Sequence, residues 1–170
     1  SWDFNSTFRR PIVESMNAMP DREWPAKVGG GKVGPVDFAI ATGDITDHGT
    51  ETEWDDKDDW LGDDYLSLRK FLKFPGLEAM GNHDCHKGGA AAGIKKLHGN
   101  TYYSADKGDV HLVAMDQYVG GSRMAAAPDF NDKQLDWLEK DLKKVAKGTT
   151  PVVCFMHSPP VREMGRHWTT

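Results

Sequence analysis

The stretch L-E-A-M-G-N-H-D, residues 77–84, passes from an apolar segment through a glycine into three polar side chains. Residues 36–47, V-D-F-A-I-A-T-G-D-I-T-D, follow the same plan, and residues 151–157, P-V-V-C-F-M-H, end in a histidine. Short apolar segments of this kind predict strands. The C-terminal ends of the strands in an open α/β sheet form the edge where active sites are built. The polar side chains that we expect to converge at that edge are Asp44, Asn82 and His157.

These residue types predict a particular kind of metal chemistry. A carboxylate, an amide oxygen and an imidazole, with no thiolate, suit Mn, Fe or Zn better than a structural cysteine site. A carboxylate such as Asp44 between two cations is half of a two-metal clamp, which holds its ions roughly 3.5–4 Å apart. His83, beside the ligand Asn82, would then protonate a leaving alkoxide, and Asp84 would orient His83.

The ordered motifs resemble those of the calcineurin-like metallophosphoesterases. The match consists of G-D-x-x-D at residues 43–47, followed by G-N-H-D at residues 81–84. The similarity continues through residues 102–116, 134–142 and 156–160. It implies a layered β-sandwich flanked by helices (α/β/β/α) and hydrolysis of phosphoric esters. The nucleophile would be a water or hydroxide that bridges two divalent transition-metal ions, either Mn, Fe or Zn.

The resemblance also implies a role for each matching residue. Asp44 would bridge the two metals, while Asn82 and His157 would bind the second one. His83 would act near the leaving group, and Asp47 would support the loop from behind. In the purple acid phosphatase branch a tyrosine stands at the position of Asp47, so an iron–tyrosinate centre is not expected here.

Two departures from the family pattern concern the ends of the chain. A D-x-H motif after the first strand and a closing G-H-x-H motif are not visible, and residues 3–5, D-F-N, lack a preceding strand. We therefore expect residues 1–170 to be one metallophosphoesterase-like domain that is truncated at both ends. The alternative function is a non-catalytic scaffold or interaction protein with an incomplete metal site. The intact Asp44, Asn82, His83 and His157 favour the hydrolase.

The composition limits the kinds of molecule that the protein is expected to bind. The 170 residues carry a net charge of −5, which argues against nucleic acid, whose binding needs clustered Lys and Arg. A small phosphoester remains compatible with that charge, because metal ions supply local positive charge. No apolar run approaches the roughly 20 residues of a membrane span. The two cysteines, Cys85 and Cys154, are interpreted as free thiols, with a disulfide as the alternative.

The other patterns predict a hairpin and helices. Residues 102–116 are typical of a β-hairpin that turns at residues 106–109. A helix is expected from the N-cap Asn131, with Gln134 completing a capping box and Gly148 ending the helix. Its predicted buried stripe is Leu135, Leu138, Leu142 and Val145. Another helix is expected to begin within the acidic residues 51–64 and to end at Pro75-Gly76.

The predicted strands are Val36–Ala41, Leu77–Met80, Val110–Met115 and Val152–Met156. Alternating strands and helices indicate an α/β domain.

Overall fold

A computed structural model describes residues 9–57, 64–119, 129–146 and 148–159. The helices within these ranges are α1 (Arg9–Asn17), α2 (Glu51–Trp54), α3 (Tyr65–Phe71), α4 (Gly89–His98) and α5 (Asp132–Leu142). The strands are β1 (Ala39–Ala41), β2 (Gly76–Glu78), β3 (Tyr103–Lys107), β4 (Val110–Ala114) and β5 (Val152–Phe155). Two short 3₁₀ turns occupy Met19–Asp21 and Ala26–Val28.

The strands form two small sheets. β1 and β2 pair in parallel, with Ile40 opposite Leu77. The second sheet has the order β3-β4-β5, in which β3 and β4 form an antiparallel hairpin and β5 lies parallel to β4. The α/β class, the hairpin and all four predicted strands are confirmed, although each of the four strands is shorter at one end than predicted.

The two sheets enclose one hydrophobic core. Its buried residues come from both sheets: Leu77, Ala79, Tyr103, Leu112, Ala114 and Phe155. A second core lies beneath the helices and consists of Trp54, Met80, Cys85, Ala90, Ile94 and Tyr118. The segment 77–80 contributes alternate residues to the two cores, as the period of an extended chain requires. One side of this segment therefore packs against the sheets and the other side against the helices. This packing fixes the point in space from which the following polar residues, 82–84, begin.

The helix-facing side of β2 carries a buried carboxylate. Glu78 is fully buried and binds Tyr65 and Arg69 of α3 and His98 of α4. The Arg69 Nε lies 2.6 Å from a Glu78 carboxylate oxygen. Burial by itself raises the pKa of Glu78, but hydrogen bonds from His98, Arg69 and Tyr65 outweigh it and lower the pKa to about 2. Both helices are thus fastened to the strand that leads to the G-N-H-D turn.

Helix α5 differs from its predicted form. The side chain of Asn131 caps it as expected, by accepting from the backbone N–H of Gln134. The predicted capping box is not completed, because the side chain of Gln134 binds the backbone of Asp116 instead of that of Asn131. The predicted apolar stripe is wrong, since Leu135 and Leu142 are 44% and 36% exposed. The residues that α5 buries are Gln134, which binds the backbone of Asp116 just after β4, and Asp141, which binds His111 of β4. The helix also ends at Leu142, well before Gly148.

Helix α4 was not predicted, and within the described residues two short helices, α2 and α3, replace the helix that was expected to run from the acidic segment to Pro75. Thr50 and Glu53 form a capping box at the start of α2, and α3 ends at Phe71 rather than at Pro75. In α4, Gly93 packs against the ring of Trp54, where a Cβ would come within 2.0 Å of the indole. Within the described ranges no helix is long and apolar enough to cross a membrane.

Candidate metal centre

The loops after β1 and β2 touch backbone to backbone. A Cβ on Gly81 would lie 2.2 Å from the backbone nitrogen of Asp44, and a Cβ on Gly43 would lie 2.7 Å from the nitrogen of Gly81. Gly43 also has a φ of +95°, a left-handed conformation that glycine adopts without steric cost. The two glycines allow the first carboxylate and the G-N-H-D turn to approach closely.

Three of the predicted ligands meet at this contact. The Nε2 atom of His157 lies 3.2 Å from Oδ2 of Asp44 and 3.1 Å from Oδ1 of Asn82. On the other side of the ring, Nδ1–H of His157 donates to the carbonyl of Thr42 at 3.0 Å. A carbonyl on Nδ1 fixes the ring and directs Nε2 towards the two oxygens, as in many metal-binding histidines. The convergence was predicted from the strand ends, whereas the role of Thr42 was not, because a backbone carbonyl has no sequence signature.

The charges of the cluster are coupled. Burial works to raise the pKa of Asp44, but hydrogen bonds from His157 and from the backbone N–H of His83 lower it overall. The hydrogen bond to Asp44 raises the pKa of His157 above its usual value, against the effect of burial. The side chains of His157 and Asp44 are 24% and 35% exposed. An ionised carboxylate thus stands at a site that solvent and small molecules can reach.

The carboxylate beside His83 is Asp47, which differs from the expected Asp84. Nδ1 of His83 lies 2.7 Å from the carbonyl oxygen of Asp47 and 3.1 Å from its Oδ1. Asp84 is fully buried and accepts from the backbone N–H and hydroxyl of Thr46 and from the N–H of Gly81. Asp84 therefore ties together the two loops that carry the ligands, and Asp47 holds the imidazole.

Further polar residues surround Asp47. Nδ1 of His48 lies 3.3 Å from the second carboxylate oxygen of Asp47. The backbone N–H of His48 donates to the carboxylate of Glu53, which also closes the capping box of α2. The sequence contained one signal for this arrangement, the T-x-x-E pattern at residues 50–53.

The cluster has the donor chemistry of a divalent cation site. Ligand atoms bound to one ion at roughly 2.1 Å stand about 3.0–3.4 Å apart, and the distances from Nε2 of His157 fall in that range. Within the described ranges, no group of three or more His, Cys, Asp or Glu side chains is placed to hold a metal ion. The cluster has two such residues, Asp44 and His157, and its third donor is the amide of Asn82. These three fit one cation with open positions.

The chain belongs to the calcineurin-like phosphoesterase family. The family model matches residues 26–170, which include every motif described above. A relative, purple acid phosphatase 23 of Arabidopsis thaliana, is 38% identical over 72 residues. That match covers 41% of this chain and 14% of the relative. The family and the relative imply divalent metal ions. The match therefore spans only a small part of that relative, and the relative's activity is extended to this chain only as a proposal.

Proposed function

We propose that this chain is a metal-dependent hydrolase of phosphoric esters, either monoesters or diesters. The observation that carries the proposal is the meeting of His157 Nε2 with Asp44 Oδ2 and Asn82 Oδ1 at 3.1–3.2 Å. Three donors from three separate strand ends have no structural need to converge on one exposed point. Membership of the calcineurin-like phosphoesterase family supports the same conclusion.

In this proposal Asp44, Asn82 and His157 hold one ion, and a second ion would share Asp44. Divalent Mn, Fe or Zn supplies Lewis-acid stabilisation of phosphoryl oxygens and lowers the pKa of a bound water. Asp44 is prepared for this role because one of its oxygens accepts from the backbone N–H of His83 at 3.0 Å, which fixes the carboxylate plane. The other oxygen faces Nε2 of His157, and it is the atom that would bind the ion.

We assign proton transfer to the imidazole of His83. Its Nδ1–H donates to Asp47, and its Nε2–H is donated to the leaving oxygen of the ester. Asp47 keeps the ring oriented. Asp84, which sequence reasoning gave this task, serves instead to hold the turn in place, since its oxygens are engaged by Thr46 and Gly81.

The test is hydrolysis of p-nitrophenyl phosphate, a monoester, and of bis(p-nitrophenyl) phosphate, a diester, by wild-type protein, with and without added Mn²⁺ or Zn²⁺. We expect metal-stimulated hydrolysis, and Asp44→Asn should reduce it at least about a hundredfold, since the ion supplies several kcal/mol of transition-state stabilisation. Asp136→Asn, an exposed aspartate on α5, is the matched control and should retain full activity. Activity that Asp44→Asn leaves unchanged would refute the proposal.

The second candidate is a non-catalytic member of the family. It is favoured by one observation, namely that only two side chains of the His, Cys, Asp or Glu type meet at the centre in the described residues. A scaffold of this kind predicts no metal-stimulated hydrolysis of any phosphoester by wild-type protein. The same assay therefore separates the two candidates.

A further inference from the structure

The position of His157 does not follow from strand β5 alone. In β5, Val152 and Val153 are 42% and 43% exposed, and Phe155 is the buried residue of the strand. Beyond the ladder, the backbone N–H of Met115 donates to the carbonyl of Phe155 at 3.0 Å. His157 lies two residues farther along. A strand with so little buried apolar surface is a weak support for a ligand that must be placed within a fraction of an ångström.

Two buried side chains grip the residue that follows His157. Oε1 of Gln117 accepts from the backbone N–H of Ser158 at 2.8 Å. The hydroxyl of Tyr118 lies 2.6 Å from Oγ of Ser158. Gln117 and Tyr118 are 3% and 7% exposed, so each of these part-buried hydrogen bonds has one buried partner. The ring of Tyr118 also stands beside that of His157, with 6.1 Å between the ring centroids.

This grip is anchored to helix α5. Gln134, which is fully buried, uses its side-chain amide to bind both the N–H and the carbonyl of Asp116, at 2.8 and 2.7 Å. Oδ1 of Asp116 in turn accepts from the N–H of Tyr118 at 2.8 Å. The segment 116–118 is therefore fixed by the helix before it reaches Ser158. Buried networks in which every member is satisfied are rigid.

We propose that Gln117 and Tyr118 are positioning residues that fix His157 within the metal centre. This inference rests on the proposed function, because it gives the grip on Ser158 the task of setting the distance from His157 to Asp44 and Asn82. Partners outside the ligand shell hold the ligands in register, and their loss typically weakens metal binding by 10–100-fold. Loosening Ser158 removes a restraint on the backbone next to His157, while the carbonyl of Thr42 still holds its imidazole.

The test compares Tyr118→Phe with a matched control, Tyr103→Phe. Tyr103 is equally buried, at 8%, and its hydroxyl binds the backbone of Glu78, away from the centre. Each protein is titrated with Co²⁺, and the visible absorption of the bound ion is followed. We expect the dissociation constant for Co²⁺ to rise about tenfold in Tyr118→Phe and to stay within twofold of wild type in Tyr103→Phe. Gln117→Leu should weaken binding at least as much as Tyr118→Phe.

A second measurement is made without metal. The ring signals of His157 in heteronuclear NMR report whether the imidazole holds one orientation. We expect sharp signals in wild type and in Tyr103→Phe, and broadened or doubled signals in Tyr118→Phe. A general loss of stability would affect both tyrosine variants alike, so it would not produce this difference.

The two measurements separate this inference from the proposed function. If wild type binds Co²⁺ and Tyr118→Phe weakens the binding, but no phosphoester is hydrolysed, the proposed function fails and the positioning role stands. If Tyr118→Phe binds Co²⁺ as wild type does, the positioning role is overturned, whatever the activity. Absence of Co²⁺ binding by wild type, or identical His157 signals in both tyrosine variants, also overturns it.

Discussion

Replacing Gly81 by alanine should distort the proposed metal centre through one contact. The added Cβ would lie 2.2 Å from the backbone nitrogen of Asp44 and 2.3 Å from its Oδ1. Ordinary van der Waals contact begins near 3.4 Å, so the two loops must separate by about 1.2 Å. Overpacking of this kind costs roughly 1–3 kcal/mol, and we expect the upper end because the atom struck first is backbone. A shift of about 1 Å at a reacting centre costs roughly a hundredfold in rate.

The assay combines urea unfolding, followed by tryptophan fluorescence, with Co²⁺ titration and hydrolysis of p-nitrophenyl phosphate. Gly93→Ala is the matched control, because its Cβ would lie 2.0 Å from the ring of Trp54, a clash between α4 and α2 rather than between the two ligand-bearing loops. We expect both variants to lose stability, but only Gly81→Ala to lose Co²⁺ affinity, by at least about tenfold. Gly81→Ala with wild-type stability and wild-type affinity would refute the close packing of the two loops.

Two further predictions concern His83 and Glu78. His83→Asn should reduce turnover of an alkyl phosphate by roughly a hundredfold and that of p-nitrophenyl phosphate by much less, because a good leaving group needs little protonation. Its Co²⁺ affinity should stay near wild type, and a loss equal to that of Asn82→Ala would contradict the assigned roles. The lowered pKa of Glu78 stabilises the fold above its ordinary value of 4.5, and this contribution is lost as the pH falls towards 2. Urea unfolding from pH 7 to 3 should therefore show a steep loss of stability in wild type. In Glu78→Gln the stability at pH 7 should be lower by about 3 kcal/mol and the slope flatter, and an unchanged slope would count against the carboxylate as its cause.

The sequence predicted the elements that depend on local patterns. The hairpin, the Asn131 cap and the strands before each ligand follow from apolar runs and turn residues, and all were confirmed. Asp44, Asn82 and His157 were expected to converge because each one ends a strand, and they meet in the structure. A motif that directly follows a strand can be placed from the sequence, because the end of the strand fixes the position of the motif.

Elements that depend on tertiary partners were not predictable in the same way. The spacing of Leu135 and Leu142 indicates a buried stripe, yet α5 buries Gln134 and Asp141. Gln134 binds the backbone of Asp116, and Asp141 binds His111 on β4. The hydrogen bonds of these two buried polar side chains outweigh the apolar pattern here. As a result α5 faces the protein interior with Gln134 and Asp141 and leaves Leu135 and Leu142 exposed. Neither partner can be found from spacing in one sequence.

The same limit explains the exchange of Asp47 and Asp84. Both carboxylates stand near His83 in the motifs, and adjacency in sequence favoured Asp84. Neighbouring side chains in a turn point in different directions, however, so the carboxylate of Asp84, next to His83 in the sequence, reaches inward to Thr46 and Gly81. Asp47 is 36 residues earlier in the sequence, but its side chain lies beside the imidazole because the two loops are in contact. The close approach of Gly43 and Gly81 decides which acid serves which base.

The backbone at Asp44 connects this packing to function. Its φ of +52° is the one left-handed value among the described residues other than glycine. Such a conformation costs a side chain roughly 1–2 kcal/mol, although aspartate tolerates it better than most residues. Glycine at this position would relieve the strain but would remove the carboxylate that meets His157 and the N–H of His83. Strain persists where the surrounding structure fixes it, and such positions cluster at functional sites. The chain thus keeps a carboxylate at the point where the backbone would prefer glycine, and the proposed metal centre supplies a physical reason for it.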